Sequence, residues 1–104
     1  MVIPGLSQGD IVKLQGYTNY FLVVSNNAYI RSAEMFHACL MTTWEKDGPL
    51  HIRVKGVNGT EGVVSCEQIR LIDPASRGFQ HIDRLAYRDL MEVSDAIQGM
   101  FEYD

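Results

Sequence analysis

The chain has 104 residues and a formal net charge of −4, with 46% hydrophobic and 21% charged residues. This length suits a single domain over residues 1–104 with one hydrophobic core. The composition is typical of a folded, water-soluble protein and excludes general disorder. The acidic charge argues against nucleic-acid binding over the whole surface, whereas six arginines leave room for a local basic groove.

The sequence indicates neither a membrane span nor a secretion signal. No apolar run approaches the ~18 residues that a bilayer requires. Residues 1–6 lack a basic segment and include Pro4 and Gly5. Cys39 and Cys66 lie in apolar stretches without CxxC spacing, which favours buried free thiols in a reducing compartment. We therefore expect a cytoplasmic protein.

Apolar or alternating runs predict five β-strands in the first three-quarters of the chain. The runs are bounded by turn-forming residues such as those at positions 46–49 and 57–59. The fourth run alternates polar and apolar residues, which places it near an edge of the sheet. The predicted strands are residues 11–14, 20–24, 35–43, 51–55 and 62–73.

The pattern changes after Pro74. From Tyr87 onward, apolar residues recur at three- and four-residue spacing: Leu90, Val93, Ile97 and Met100. This spacing predicts one amphipathic helix, with Asp83 as a candidate N-cap. The expected fold class is mainly β with a C-terminal helix, either a small barrel or strongly bent sheet, or alternatively an open sandwich.

Residues 62–73 carry the most informative motif. A glycine opens an apolar run, and Glu67, Gln68 and Arg70 then follow within four residues. Binding or catalytic groups often lie where a buried strand meets a loop. The segment closely resembles the Gly-Val-Val-x-Cys-x-Gln-x-Arg-x-Ile-Asp motif of the MazF/PemK/Kid toxins, small bacterial proteins that cut messenger RNA.

The resemblance extends in order along the chain. Residues 9–12, 20–25, 40–43 and 51–54 are similar to successive strands of these toxins, and residues 77–78 match the segment before the final helix. It implies an SH3-like or CcdB-like barrel of about five to seven strands. It also implies a homodimer that binds single-stranded RNA and a cognate antitoxin protein, with no membrane association.

Two departures from the family pattern concern its RNA site. Asn19 stands where the family has an arginine that takes part in cleavage, and the first loop is shortened to residues 15–18. Asparagine can donate a hydrogen bond but cannot neutralise the charge that grows on the phosphate. Loss of one such group typically costs about 2.7–4 kcal/mol in a transition state.

The resemblance assigns Thr42 and Glu67 as candidate catalytic residues, with Glu67 as general base. His51 could act as general acid, because an imidazole changes charge near neutral pH. Each charged residue could equally be an ordinary solvated surface group. The candidate RNA-binding residues are Asn19, Arg31, Thr43, His51 and Arg53. The candidate stacking aromatics are Tyr17, Tyr20, Tyr29 and Trp44. Arg70 and Asp73 are interpreted as a structural ion pair or turn anchor.

The leading functional hypothesis is that the chain is the toxin of a type II toxin-antitoxin system, an endoribonuclease that uses the RNA 2′-hydroxyl as nucleophile. Such chemistry needs no metal or other cofactor, and no metal or phosphate-loop motif occurs in the sequence. The alternative is a cleavage-impaired member that binds RNA, antitoxin or another protein. A gyrase target is least favoured, because residues 95–102 resemble the CcdB terminus only loosely.

Overall fold

The computed structural model describes residues 5–104, which form six strands and two helices. The strands are β1 (Asp10–Leu14), β2 (Tyr20–Val23), β3 (Phe36–Thr42), β4 (His51–Lys55), β5 (Glu61–Ile72) and β6 (Phe79–Arg84). The helices are α1 (Asn27–Ala33) and α2 (Tyr87–Met100). All strands pair antiparallel in one sheet of order β4-β5-β3-β2-β1-β6.

The sheet is barrel-like but not closed. Its edge strands β4 and β6 approach through an isolated bridge between Gly56 and Leu85. The long strand β5 contains a bulge, since the five-residue step from Val64 to Ile69 opposes only the two-residue step from Cys39 to Met41. Six strands and a C-terminal helix confirm the predicted fold class.

Apolar residues alternate along the strands, so each face of the sheet buries its own cluster. On the first face, Phe21 and Phe36 are fully buried together with Ile30 of α1. On the second face, Leu22 and Val64 pack with Val93 of α2. Both faces of the sheet therefore bury apolar residues, whereas the middle of β5 carries polar ones: Ser65 is buried, and Glu67, Gln68 and Arg70 are exposed.

Two elements were absent from the sequence prediction. Helix α1 buries only Ile30, and the Asn26 side chain caps it by accepting from the Tyr29 N–H. Strand β6 has a single fully buried side chain, Asp83, so it lacks an apolar pattern. The assignment of Asp83 as helix cap was wrong, because the N-cap of α2 is Ala86, without a side-chain bond.

Asp83 instead attaches the β4–β5 hairpin to β6. Its carboxylate accepts backbone N–H bonds from Asn58 (3.1 Å), Thr60 (3.1 Å) and Arg84 (2.8 Å). A side chain at Gly56 would overlap this carboxylate. Burial alone would raise the pKa of Asp83, but the hydrogen bonds outweigh burial and lower that pKa to about 2.

The two cysteines are free and buried, as predicted. Burial raises the pKa of the Cys39 thiol to about 12 and that of Cys66 to about 11, because a thiolate is poorly solvated there. Across residues 5–104, neither helix has the length and apolarity needed to cross a membrane.

Candidate RNA-binding and cleavage site

Three of the predicted site residues share a small cavity at one end of β1, β2 and β3. Asn19, Thr42 and Thr43 all line this cavity, which has a volume of about 190 Å³. We call it the Thr42 cavity. Its remaining lining residues are Lys13, Thr18, Tyr20, Met41 and Glu61. The cavity therefore combines hydroxyl, amide, ammonium and carboxylate groups, a set able to bind a phosphodiester.

Strand register places the second group of predicted residues on the same face as Thr42. Thr42 and Arg53 both pair with Val63, from opposite sides of β5. Adjacent strands lie about 4.8 Å apart, so about 10 Å separates the backbones of Thr42 and Arg53. His51 pairs with Ser65, two residues farther along β5. Directly paired residues, and residues two apart, share a face.

His51 lies between two carboxylates. Its Nε2 is 3.0 Å from Oε2 of Glu67 and 3.6 Å from Oε2 of Glu45. The Glu67 side chain is 51% exposed, whereas that of Glu45 is only 14% exposed. We call these three residues the His51 cluster. An imidazole in direct contact with an accessible carboxylate can move protons to and from a bound substrate.

The β3–β4 loop supplies acids to this region. Asp47 pairs with Arg53, with Nη2 at 3.0 Å and Nε at 3.1 Å from its Oδ1. The backbone N–H of Glu45 approaches Oγ1 of Thr42 at 3.4 Å. His51 and Arg53 on β4 therefore both have carboxylate partners within the chain. Any anion that bound to these two residues would compete with those carboxylates.

Arg31 lies apart from the other predicted residues. It is exposed in the last turn of α1, which leads to the start of β3, whereas Thr42 ends that strand. The length of β3 separates the two ends by about 20 Å. A larger groove of about 440 Å³ lies at that far end and includes Tyr29 and His37. Tyr29 is one of the candidate stacking aromatics, but none of the predicted catalytic or RNA-binding residues lines this groove.

The sequence predicted that Arg70 and Asp73 form a structural ion pair or anchor a turn. In the structure the two side chains have different partners. Asp73 anchors its own turn by accepting from the Ala75 N–H at 3.0 Å and the Ser76 hydroxyl at 3.3 Å. The Arg70 guanidinium instead lies over the Tyr17 ring, 5.5 Å from its centroid. The prediction that Asp73 anchors a turn is confirmed, and the predicted ion pair between Arg70 and Asp73 is wrong.

Tyr17 also receives two further cations that the motifs did not single out as site residues. Arg77 lies 4.9 Å from the ring centroid, and Lys13 Nζ donates to the Tyr17 carbonyl at 2.7 Å. We call Lys13, Arg70, Arg77 and Tyr17 the Tyr17 cluster. Lys13 also lines the Thr42 cavity. No local spacing signals this cluster, because its members come from two distant parts of the chain, residues 13–17 and 70–77.

Within residues 5–104, no group of three or more His, Cys, Asp or Glu side chains has the geometry to hold a metal ion.

The family model for PemK-like, MazF-like toxins of type II toxin-antitoxin systems matches residues 7–101. The chain belongs to this family. The family assignment made from residues 62–73 is thereby confirmed. No protein with a curated description matches the sequence significantly.

Solved structures of MazF toxins resemble this chain over nearly its full length. The MazE-MazF complex of Deinococcus radiodurans (Form-I) matches with a TM-score of 0.79 and 25% identity, covering 91% of this chain and 94% of that one. An endoribonuclease bound to its cognate antitoxin, from Mycobacterial species, gives a TM-score of 0.80 at 18% identity, covering 96% and 100%. Mycobacterium tuberculosis toxin MazF-mt6 gives 0.71 at 18%, covering 92% and 98%. The last two identities indicate a shared fold only.

Proposed function

We propose that this MazF-like chain is a metal-independent endoribonuclease that cleaves single-stranded messenger RNA. The observation that carries the proposal is the 3.0 Å contact between His51 and Glu67, on the same face of the sheet as the buried Thr42. General acid–base catalysis of RNA cleavage needs two such titratable groups and a binding surface for the phosphate. Family membership supports the same activity.

In the proposed reaction, the RNA 2′-oxygen forms a bond to the adjacent phosphorus while its proton passes to the Glu67 carboxylate. The bond from phosphorus to the 5′-oxygen breaks, and protonated His51 donates a proton to that oxygen. The products are a 2′,3′-cyclic phosphate and a free 5′-hydroxyl. The contact between Glu67 and His51 lets the two groups pass the proton back and restore their starting states.

The remaining predicted residues would hold the RNA. Thr42 would donate its hydroxyl to a phosphate oxygen during cleavage, and Thr43 and Asn19 would donate to neighbouring phosphates from the same cavity. Arg53 would bind a phosphate after release from Asp47. Arg31 would contact only an RNA long enough to follow β3, because it lies at the other end of that strand.

We further propose that the toxin acts in the cytoplasm as a homodimer and is held by a cognate antitoxin. Two of the similar structures are complexes of a toxin with its antitoxin. The outer side of α2 exposes apolar side chains that a dimer or an antitoxin could cover: Tyr87, Met91 and Phe101.

The test is incubation of the purified chain with a defined transcript, in excess EDTA, followed by primer extension to map new ends. Glu67→Gln and His51→Gln should each slow cleavage by roughly 100-fold or more, the usual contribution of a general acid or base. His81→Gln and Glu92→Gln are matched controls on β6 and α2, and should retain activity. Site variants as active as the controls would refute the assigned roles.

The second candidate function is RNA or antitoxin binding without cleavage. Asn19 at the family's arginine position, together with the acids beside His51 and Arg53, favours this alternative. Under it, the unmodified chain leaves the transcript intact but still binds RNA or an antitoxin. Binding measured alongside the cleavage assay separates the two functions.

A further inference from the structure

Three cations converge on one residue in a chain whose net charge is negative. Lys13 donates to the Tyr17 carbonyl, while Arg70 and Arg77 both lie over the Tyr17 ring. The formal net charge of the chain is −4. The concentration of positive charge around Tyr17 is therefore local and opposite in sign to the molecule as a whole.

Carboxylates of the described chain do not pair with these cations. The ion pairs found among residues 5–104 involve Arg53, His51 and His81, and none involves a member of the Tyr17 cluster. Two acids lie close to the cluster: Glu61 is exposed and shares the Thr42 cavity with Lys13, and Asp73 belongs to the turn before Arg77, where its backbone carbonyl accepts from the Arg77 N–H. Like charges held together are unfavourable unless an anion compensates them.

The arrangement also fixes the orientation of the two arginines. Arg77 donates from Nη1 to the Gln15 carbonyl, and both guanidinium groups rest on the same aromatic ring. A guanidinium held in one position loses less freedom when it binds a phosphate in its two-pronged geometry. The remaining N–H groups of Arg70 and Arg77 are thus available in a preorganised fork.

We infer that the Tyr17 cluster is an anion site for successive phosphates of single-stranded RNA leading into the Thr42 cavity. This inference rests on the proposed function. Lys13 joins the two sites, because it contacts Tyr17 and also lines the cavity. The Tyr17 cluster supplies positive charge beside the position where Asn19 offers none.

Single-stranded RNA fits this cluster better than a duplex does. Unpaired bases stack on tyrosine rings and on arginine planes, and the backbone follows a positive groove. The Tyr17 ring is itself packed edge-on against Phe21, with centroids 5.1 Å apart, so it is a rigid platform. Arg70 and Arg77 can then serve either a phosphate or a base face.

The test measures binding of a short, single-stranded, fully 2′-O-methylated RNA, which cannot be cleaved, by fluorescence anisotropy over a range of salt concentrations. The site variant is the triple substitution Lys13→Met, Arg70→Gln and Arg77→Gln. The matched control removes the same charge elsewhere: Lys55→Met, Arg84→Gln and Arg88→Gln. Circular dichroism checks the fold of both.

Each phosphate contact to a single strand contributes about −0.7 to the slope of log affinity against log salt. The site variant should therefore lose about 2 from the magnitude of that slope, while the control keeps the parental slope. Equal slopes for the two triple variants would show that the Tyr17 cluster is not an RNA-binding site, without contradicting RNA binding elsewhere on the chain. A parental chain that does not bind the RNA would overturn both the cluster and the proposed function.

A second measurement uses the unsubstituted protein, in case the site variant does not fold. The chain has three lysines, Lys13, Lys46 and Lys55, and reductive methylation with ¹³C-formaldehyde keeps their charge while labelling each for NMR. A Lys13→Arg variant assigns the Lys13 signal. Adding the methylated RNA should shift the Lys13 signal and leave Lys55 unchanged. An unmoved Lys13 signal under saturating RNA would overturn the inference.

Discussion

Replacing Asp83 by asparagine should strongly destabilise the protein. The carboxylate is fully buried and accepts backbone N–H bonds from Asn58, Thr60 and Arg84. An amide offers one accepting oxygen, and its NH₂ group must then face one of these donors. The substitution thus breaks the join between the β4–β5 hairpin and β6.

The magnitude follows from the hydrogen bonds. A bond to a charged acceptor contributes about 1.5–3 kcal/mol, and a buried donor left without a partner costs about 1–3 kcal/mol. We therefore expect Asp83→Asn to lower the free energy of unfolding at neutral pH by about 2–4 kcal/mol. That is a large part of the roughly 5–15 kcal/mol typical of small domains.

The Asp83 carboxylate also makes the free energy of unfolding depend on pH, with a sign that follows from its pKa. The pKa of Asp83 is lowered from 3.8 to about 2 in the folded state, because its hydrogen bonds outweigh the effect of burial. A lowered folded pKa adds stability that is fully present above the unfolded value and is lost as pH falls towards the folded value. The contribution should amount to about 2 kcal/mol and disappear between about pH 4 and pH 2.

Urea unfolding followed by far-UV circular dichroism measures both effects. Asp95→Asn on α2 is the matched control, since this aspartate is exposed and should change stability within roughly ±0.5 kcal/mol. The gap between Asp83→Asn and the parent should narrow as pH falls from 4 to 2. An Asp83→Asn protein as stable as the control at neutral pH would refute the role given to this carboxylate.

Two further substitutions test the site, and a labelling experiment tests the burial of the two cysteines. Asn19→Arg should change the free energy of unfolding by no more than about 0.5 kcal/mol. It should strengthen RNA binding or cleavage, and this gain should shrink as the salt concentration rises. Unchanged RNA binding and cleavage would mean that the shortened first loop has removed the site. Asp47→Asn should release Arg53 from its ion pair and raise the affinity for RNA by up to about fivefold, because an exposed ion pair contributes at most about 1 kcal/mol. Titration followed by fluorescence anisotropy measures the affinity. Cys39 and Cys66 should resist a thiol reagent until urea unfolds the chain, because their raised pKa values and burial suppress the thiolate.

The sequence predicted the elements that carry a continuous apolar run or a helical apolar stripe. The apolar runs that became β2 and β5, and the stripe from Leu90 to Met100 in α2, all lie where the sequence pattern put them. The short helix α1 and the edge strand β6 could not be found this way, because each buries a single residue completely, Ile30 and Asp83. Their positions depend on tertiary contacts and not on local pattern.

The site was predictable only as far as family resemblance reached. Motif matching named Glu67, and the chemistry of imidazole named His51, but nothing in their sequence spacing requires a contact between residues sixteen positions apart. The register of β4 on β5 creates that contact. The carboxylates of Glu45 and Asp47 looked like ordinary turn residues, and their effect on the site appears only once the loop is folded beside β4.

The bulge in β5 explains how one strand serves both clusters. Glu67 and Arg70 are three residues apart, so a regular strand would point them to opposite faces of the sheet. In this chain Glu67 shares the face of Thr42 through His51 and Ser65, and Arg70 pairs with Ala38, whose side chain belongs to that same face. The extra residues between Val64 and Ile69 make this possible, since an odd insertion exchanges the two faces beyond it. Arg70 of the Tyr17 cluster therefore lies on the same face of the sheet as the His51 cluster.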